Sequence, residues 1–294
     1  MRVVEVKHGT AIEWTHGTGF RGETWNPATG CSKVSAGCLH CYAEELSLKR
    51  GWSQVPWSAL NAIENVVLHP ERVDQPRRWR DPRMIFTNSM SDMAHELIPY
   101  EFFAECLDVM RDTPRHVYQI LTKRPERMRE LLWRWYDYDP TDPPGTRLPP
   151  LPNVWVGVSI ENRKWVGRAD VLRDTPAAVR FISAEPLLGP LIPTGCSFAD
   201  GTYGWDDSYT GRGLDLAGID WLIVGGESGS RHRPMDPAWV RDLRDACRVE
   251  GTSFFFKQDS GSRPGKRGRF ADESEWPQEM PGAPRPQVAQ GTLL

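Results

Sequence analysis

The sequence predicts an α/β protein built on a parallel sheet or barrel, and three observations carry that prediction. Short, almost continuously apolar runs recur at residues 83–88, 117–122, 154–160, 179–184, 221–225 and 253–257. Strands buried on both faces read this way, whereas half-exposed strands alternate. Stretches of helical pattern lie between most of these runs, the alternation expected of parallel βα units. Every run also ends in polar residues, and in such folds the functional groups gather at the carboxyl ends of the strands.

The elements follow in order. A further strand is possible near the cysteine-rich segment 31–41, which leads into a helix at 42–50. Helices at 99–111 and 125–136 begin with proline in the first turn, where its missing N–H leaves no helical hydrogen bond unmade. A helix follows at 162–173, and another at 237–250, where Asp236 is placed to cap the free N–H groups. Three segments break the rhythm: a proline-rich loop at 137–153, a Gly/Asp-rich insertion at 189–218, and a charged, apolar-poor stretch from 263 onward. The division expected is one barrel over 1–260 and a C-terminal extension or tail over 261–294, too poor in apolar residues to build its own core. There is no internal repeat.

Composition narrows the class. A chain of 294 residues, 39% of them hydrophobic, can bury a large core. No apolar run approaches the ~20 residues of a membrane span, and the N-terminal residues lack a signal-length apolar stretch. The expectation is a soluble, cytoplasmic protein without a membrane partner. The net charge of −3 does not mark the whole surface as a polyanion binder. The thirteen tryptophans suit either a core or a stacking surface. The six cysteines are an even number, but without a secretory signal a disulfide framework is not expected. Cys106 and Cys247 sit in helical patterns and read as small buried hydrophobes; Cys196, in the Gly/Asp-rich insertion, has no role assigned.

The strand exits supply a list of candidate site residues: Asn88, Ser89 and Asp92; Lys123 and Arg124; Ser159 and Glu161; Glu185 before Pro186; Gly225, Gly226 and Glu227; and Lys257, Gln258 and Asp259. Each has a plain reading. The 225–229 run can be a tight turn, or its glycines can let a cofactor approach the backbone. Glu185 can cap a turn, and Lys123 and Arg124 can be surface charges. Lys257, directly after three phenylalanines, needs a partner for its charge. His95, His116 and His232 have no spacing that pairs them as zinc ligands. Cys31, Cys38 and Cys41 stand apart, because three thiolates leave a metal centre one ligand short, whereas a structural zinc is closed by four. Spacing alone leaves two readings level: a zinc knuckle completed by His40 or another residue, and an iron–sulfur cluster with one open iron.

Several motifs together carry a resemblance. Thr24-Trp25-Asn26-Pro27-Ala28-Thr29-Gly30-Cys31 through Cys41-Tyr42-Ala43-Glu44 resembles the signature of a phage- and bacterium-encoded family of unknown function. The members of that family are similar to radical S-adenosylmethionine (SAM) enzymes. The resemblance continues through Phe86-Thr87-Asn88-Ser89-Met90-Ser91-Asp92, Leu121-Thr122-Lys123-Arg124-Pro125 and Ser183-Ala184-Glu185-Pro186. It ends with Val224-Gly225-Gly226-Glu227-Ser228-Gly229 and Phe255-Phe256-Lys257-Gln258. The usual radical SAM trio is Cys-x3-Cys-x2-Cys with an aromatic residue before the last cysteine. This chain has six residues in the first gap and His40 at that position.

The resemblance implies a partial (β/α)6 barrel of the radical SAM type, with loop insertions and an irregular C-terminal tail. It implies a [4Fe–4S] cluster on Cys31, Cys38 and Cys41, with SAM chelating the fourth iron. An external flavodoxin- or ferredoxin-like donor would reduce the cluster, and SAM would be cleaved to methionine and a 5′-deoxyadenosyl radical that abstracts hydrogen. By charge matching, Lys123 or Arg124 would pair with the SAM carboxylate, and Asn88, Ser89 and Ser159 would bond its amino group or ribose. Glu185 and Glu227 would accept from the ribose hydroxyls or the ammonium, and Lys257 and Gln258 would face the substrate. A nucleic acid or nucleotide is the expected substrate, from the phage context and from the basic run containing Arg72, Arg77, Arg78, Arg80 and Arg83. Interleaved Glu71, Asp74 and Asp81 make a solvated loop the plain reading of that run. The rival readings are a non-enzymatic zinc-knuckle nucleic-acid-binding protein and a degenerate barrel acting as an interaction protein.

Overall fold

All six apolar runs form strands, and a seventh strand precedes the cysteine segment. The computed structural model describes residues 9–17, 19–138, 141, 148–192, 213–270 and 276–282. In chain order the strands are β1 (Arg21–Trp25), β2 (Ala28–Thr29), β3 (Val67–Leu68), β4 (Arg83–Thr87), β5 (Val117–Thr122), β6 (Val154–Ser159), β7 (Val179–Ala184), β8 (Trp221–Gly225) and β9 (Ser253–Gln258). One sheet runs β1-β4-β5-β6-β7-β8-β9, and every pairing in it is parallel. β2 and β3 form a small antiparallel pair beside it. The sheet thus has seven strands, the six apolar runs and one more near the cysteine segment, where the sequence allows a further strand. Arg-Gly-Glu-Thr-Trp, the sequence of β1, carries no apolar run; it joins the sheet by parallel backbone pairing to β4.

The helices are α1 (Tyr42–Lys49), α2 (Ala62–Asn65), α3 (Pro70–Val73), α4 (Gln75–Arg78), α5 (Tyr100–Asp112), α6 (Pro125–Trp135), α7 (Arg168–Arg173) and α8 (Pro237–Glu250). The helix expected over 162–173 is split. Asn162 caps a short 3-10 turn by accepting from the Lys164 amide at 3.1 Å, and α7 starts only after Gly167. Asp236 caps α8 as its sequence suggests, accepting from the Ala238 amide at 2.8 Å, and Gly251 ends that helix in the left-handed conformation.

One tryptophan shows that the sheet curls. Adjacent strands lie ~4.8 Å apart, so β4 and β8 would stand roughly 19 Å apart in a flat sheet. The Trp14 ring nevertheless lies 4.6 Å from that of Phe86 on β4 and 6.2 Å from that of Trp221 on β8. The sheet is therefore a half-barrel, compatible with a partial barrel, and Trp14 fills its hollow. Alternate residues of successive strands face inward with it: Phe86, Trp155, Phe181, Trp221 and Phe255. The intervening residues, among them Val156, Val158, Ile182, Leu222 and Val224, face the helices. Aromatic pairs of this kind each add about 0.5–1.5 kcal/mol beyond area burial.

The stretch expected to be a tail contributes to this core. Phe270 and Trp276 are buried, with ring centroids 4.6 and 5.4 Å from Phe256. The Trp221 indole donates to the Glu279 carbonyl at 2.9 Å. Cys106 and Cys247 are buried free thiols, as expected. Cys196, with residues 193–212 of the insertion, lies outside the described residues. No described helix is long and apolar enough to cross a membrane.

Candidate functional site at the mouth of the half-barrel

The chain leaves β1 at the carboxyl edge of the sheet and turns at Gly30 into the cysteine loop. Cys31 follows β2, Cys38 ends a short 3-10 turn, and Cys41 occupies the cap position of α1. Gly30 is required for this path. Its φ is +84°, and a Cβ there would sit 1.8 Å from the Asn65 carbonyl oxygen. The left-handed conformation costs a non-glycine residue roughly 1–2 kcal/mol, and the backbone overlap adds to it. Gly30→Ala is expected to lower stability by about 2–4 kcal/mol, read as a fall in denaturant midpoint at unchanged slope. Wild-type stability in that variant would contradict the turn geometry.

Four strand exits then pin the loop. From β5, Arg124 is buried and donates to Ser32 Oγ at 2.8 Å, to the Ser32 carbonyl at 3.2 Å and to Cys31 Sγ at 3.5 Å. Its other donors go to Asp92 at 3.2 Å and Glu96 at 3.0 Å. From β4, the Ser89 carbonyl accepts from the Tyr42 hydroxyl at 2.5 Å. Beyond the same exit, His95 lies 3.0 Å from Ser32 Oγ; its Nδ1 accepts from the Leu97 amide, so Nε2 is the donor. From β6, fully buried Glu161 accepts from Ser35 Oγ at 2.5 Å and pairs with Arg168 at 3.2 Å and Lys123 at 3.7 Å. From β8, Glu227 pairs with His40 at 3.1 Å and with Arg233, which also donates to the Ala36 carbonyl at 3.0 Å.

The Glu227 clamp gives the loop a pH dependence. Burial opposes ionisation of this carboxyl, but the hydrogen bonds from Arg233 and His40 outweigh it and hold its pKa down at about 2. A depressed carboxylate pKa contributes stability that is full above the unfolded value of 4.5 and fades as pH falls through the folded value. The depression is worth on the order of 3 kcal/mol. Wild type and Glu227→Gln should therefore differ by about that much at pH 6 and converge toward pH 2. A gap that does not change with pH would contradict the clamp.

The thiols share one electrostatic environment. Burial and the Asp92 carboxylate push Cys31 up to about 12, against the guanidinium of Arg124. Burial also raises Cys41, opposed by the amides of Glu44 and Ala43 at the start of α1 and by Lys123. Cys38 lies close enough to influence both. Among the described residues no three His, Cys, Asp or Glu side chains are gathered as a metal-holding set. The donor chemistry nonetheless suits a soft metal centre, with three thiols on one loop and cations beside them. The mouth also holds an orphaned polar group. Asn88 has φ +61° and is 3% exposed, and neither atom of its side-chain amide has a partner. A buried amide left so at a strained position is costly unless a ligand pairs with it.

The other sequence candidates divide by what they touch. Arg124 has spent its donors on the loop, Asp92 and Glu96, whereas Lys123, whose side chain is 22% exposed, makes only a 3.7 Å pair with Glu161 and is the more available cation of the two. Ser89 is bonded to Asn26 through Oγ at 3.1 Å. Ser159 is buried, its carbonyl accepting from Arg168 at 2.6 Å. Glu185 pairs with Lys257 at 2.9 Å, so these two form a unit. Gln258 bonds the Gly226 carbonyl and the Gly265 amide, both at 2.8 Å, and joins the exits of β8 and β9. The close approach at Gly225 is made by protein: a Cβ there would lie 2.5 Å from Glu185 Oε1. Tyr42 and Arg168 are the site residues with no role assigned from the sequence. Both are defined only by contacts across the fold, whereas the strand-exit signal covers Glu161 and Asp92 and the zinc-knuckle reading covers His40.

Fold and site together define a curled parallel α/β protein with a three-thiol loop fastened across the carboxyl ends of its strands. The chain belongs to a family described as protein of unknown function (DUF5131), whose model matches residues 9–281. No curated protein and no solved structure matches it.

Proposed function

We propose that the protein is a radical SAM-like iron–sulfur enzyme acting on a nucleic acid or nucleotide, in modification or repair. The observation that carries the reading is the position of the trio: three thiols on one loop, held over the carboxyl-end mouth of a half-barrel, beside an unpartnered buried amide. Cys31, Cys38 and Cys41 would hold a [4Fe–4S] cluster. When bound, that cluster supplies one-electron cleavage of SAM, the electron coming from an external flavodoxin- or ferredoxin-like donor.

The protein's part is to bind and orient. Lys123 offers a cation to a carboxylate, and Asn88 offers a donor and an acceptor to an amino group or a ribose. Arg124, Glu161 and Glu227 act through the loop, fixing where the thiols stand. Lys257, paired with Glu185, and Gln258 would face the substrate. The substrate class is supported by Arg72, which lies on the cysteine side, its guanidinium 3.5 Å from the Asn26 carbonyl. Arg77 and Arg83 are occupied by Asp74, Asp112 and Glu23 at the other end of the strands.

Anaerobic purification tests the reading. A brown protein with about four irons per chain is expected, together with 5′-deoxyadenosine on incubation with SAM and dithionite. A colourless protein with stoichiometric zinc would favour the zinc-knuckle reading. A reduced cluster that never yields 5′-deoxyadenosine, with candidate substrates present, would favour an interaction protein on a degenerate barrel.

A further inference from the structure

A cavity of about 420 Å³ lies behind the cysteine loop, walled by the β2–β3 pair, the end of α1 and the chain that follows it. Gly30 lines it, so its wall continues directly into Cys31. Its chemistry is lopsided. No carboxylate is among its lining residues, while Arg72 supplies a cation. Arg72 is half-exposed and lightly engaged, its contacts to Glu71 and the Asn26 carbonyl both at 3.5 Å. Trp57, 4% exposed, lines the cavity with its indole N–H buried and unpartnered. Trp52 lines it and is 66% exposed, an unusual position for a tryptophan.

An apolar ligand would leave the Trp57 N–H unpaired, and a cationic one would meet Arg72. A planar, acceptor-rich anion satisfies all three groups. We propose that this cavity binds a nucleotide, its base stacked on Trp52 with an acceptor on the Trp57 N–H, and its phosphate on Arg72. Calling that nucleotide part of the substrate rests on the nucleic-acid reading above; as a binding site the cavity needs neither iron nor SAM.

The test is isothermal titration of the full chain, without SAM or reductant, with AMP, GMP, CMP and UMP. The matching nucleosides and ribose 5-phosphate serve as comparisons. At least one monophosphate should bind. Trp52→Ala, at an exposed position that does not endanger folding, should weaken it by about tenfold or more, the loss of one base stack. Trp57→Phe keeps an aromatic ring, though a smaller one, and loses the N–H, and should also weaken it. Arg72→Gln should weaken the monophosphate but not the nucleoside. The inference is overturned if none of the four binds, if ribose 5-phosphate binds as tightly as the nucleotides, or if both tryptophan variants keep wild-type affinity. Nucleotide binding by an iron-free protein would retain this site and remove the cluster reading; an iron-loaded protein that binds no nucleotide would do the reverse.

Discussion

Replacing any one of Cys31, Cys38 and Cys41 by alanine is expected to strip iron from the anaerobically purified protein and to abolish 5′-deoxyadenosine formation from SAM. The loss should be complete for each single variant, because a site with three protein ligands has none to spare. Cys106→Ala is the matched control. Its thiol, on α5, is fully buried in the core and takes no part in the mouth, so the variant should lose only about 1 kcal/mol of core packing and keep its iron. Iron content by colorimetric assay and the visible absorption band together read the outcome. Single alanine variants that retain wild-type iron and activity would refute the ligand assignment.

Arg124→Leu is expected to cost about 3–5 kcal/mol, because removing one partner of a buried ion pair leaves the other uncompensated. The stranded group is Asp92, whose side chain is 8% exposed in the ion pair. Asp92 would keep its bonds from Thr122 Oγ1 at 2.7 Å and the Lys123 amide at 3.0 Å, so loss of folding need not be total. Ser32 and Cys31 would lose the donors that fix them, so iron retention should fall along with stability. Arg124→Lys should recover little, since an ammonium cannot reproduce the fork that reaches Asp92, Glu96 and Ser32 at once. Lys123→Ala is the contrast. Its side chain is partly exposed, and its partner Glu161 keeps Arg168 and Ser35, so stability should change by about 1 kcal/mol or less, while the SAM concentration needed for half-maximal rate rises. Thermal unfolding and SAM titration of the two variants separate the roles; the reverse pattern would assign SAM binding to Arg124.

Two kinds of residue behaved differently between sequence and structure. Strands β4–β9 were legible because burial on both faces demands continuous apolar runs, a local and one-dimensional signal. The cap of α8 was legible for the same reason, since Asp236 and Pro237 act within one turn. β1 was not, because its sequence is mostly polar and carries no such run. The stretch around Phe270 and Trp276 reads as a tail by composition, yet two aromatic side chains suffice to seat it against Phe256.

The candidate site shows the same division. The sequence by itself determined the parallel α/β class, the trio Cys31, Cys38 and Cys41 and the polar strand exits, since each is written in neighbouring residues. Only the tertiary structure decided that Arg124 holds the cysteine loop and leaves Lys123 available, that Glu227 clamps His40, and that Gln258 ties two strands together. It also decided that Asn88 is left buried without a partner. Charge and residue type announce that a side chain will need partners, but which partners it finds depends on the curl of the sheet, which brings distant strand exits onto one loop.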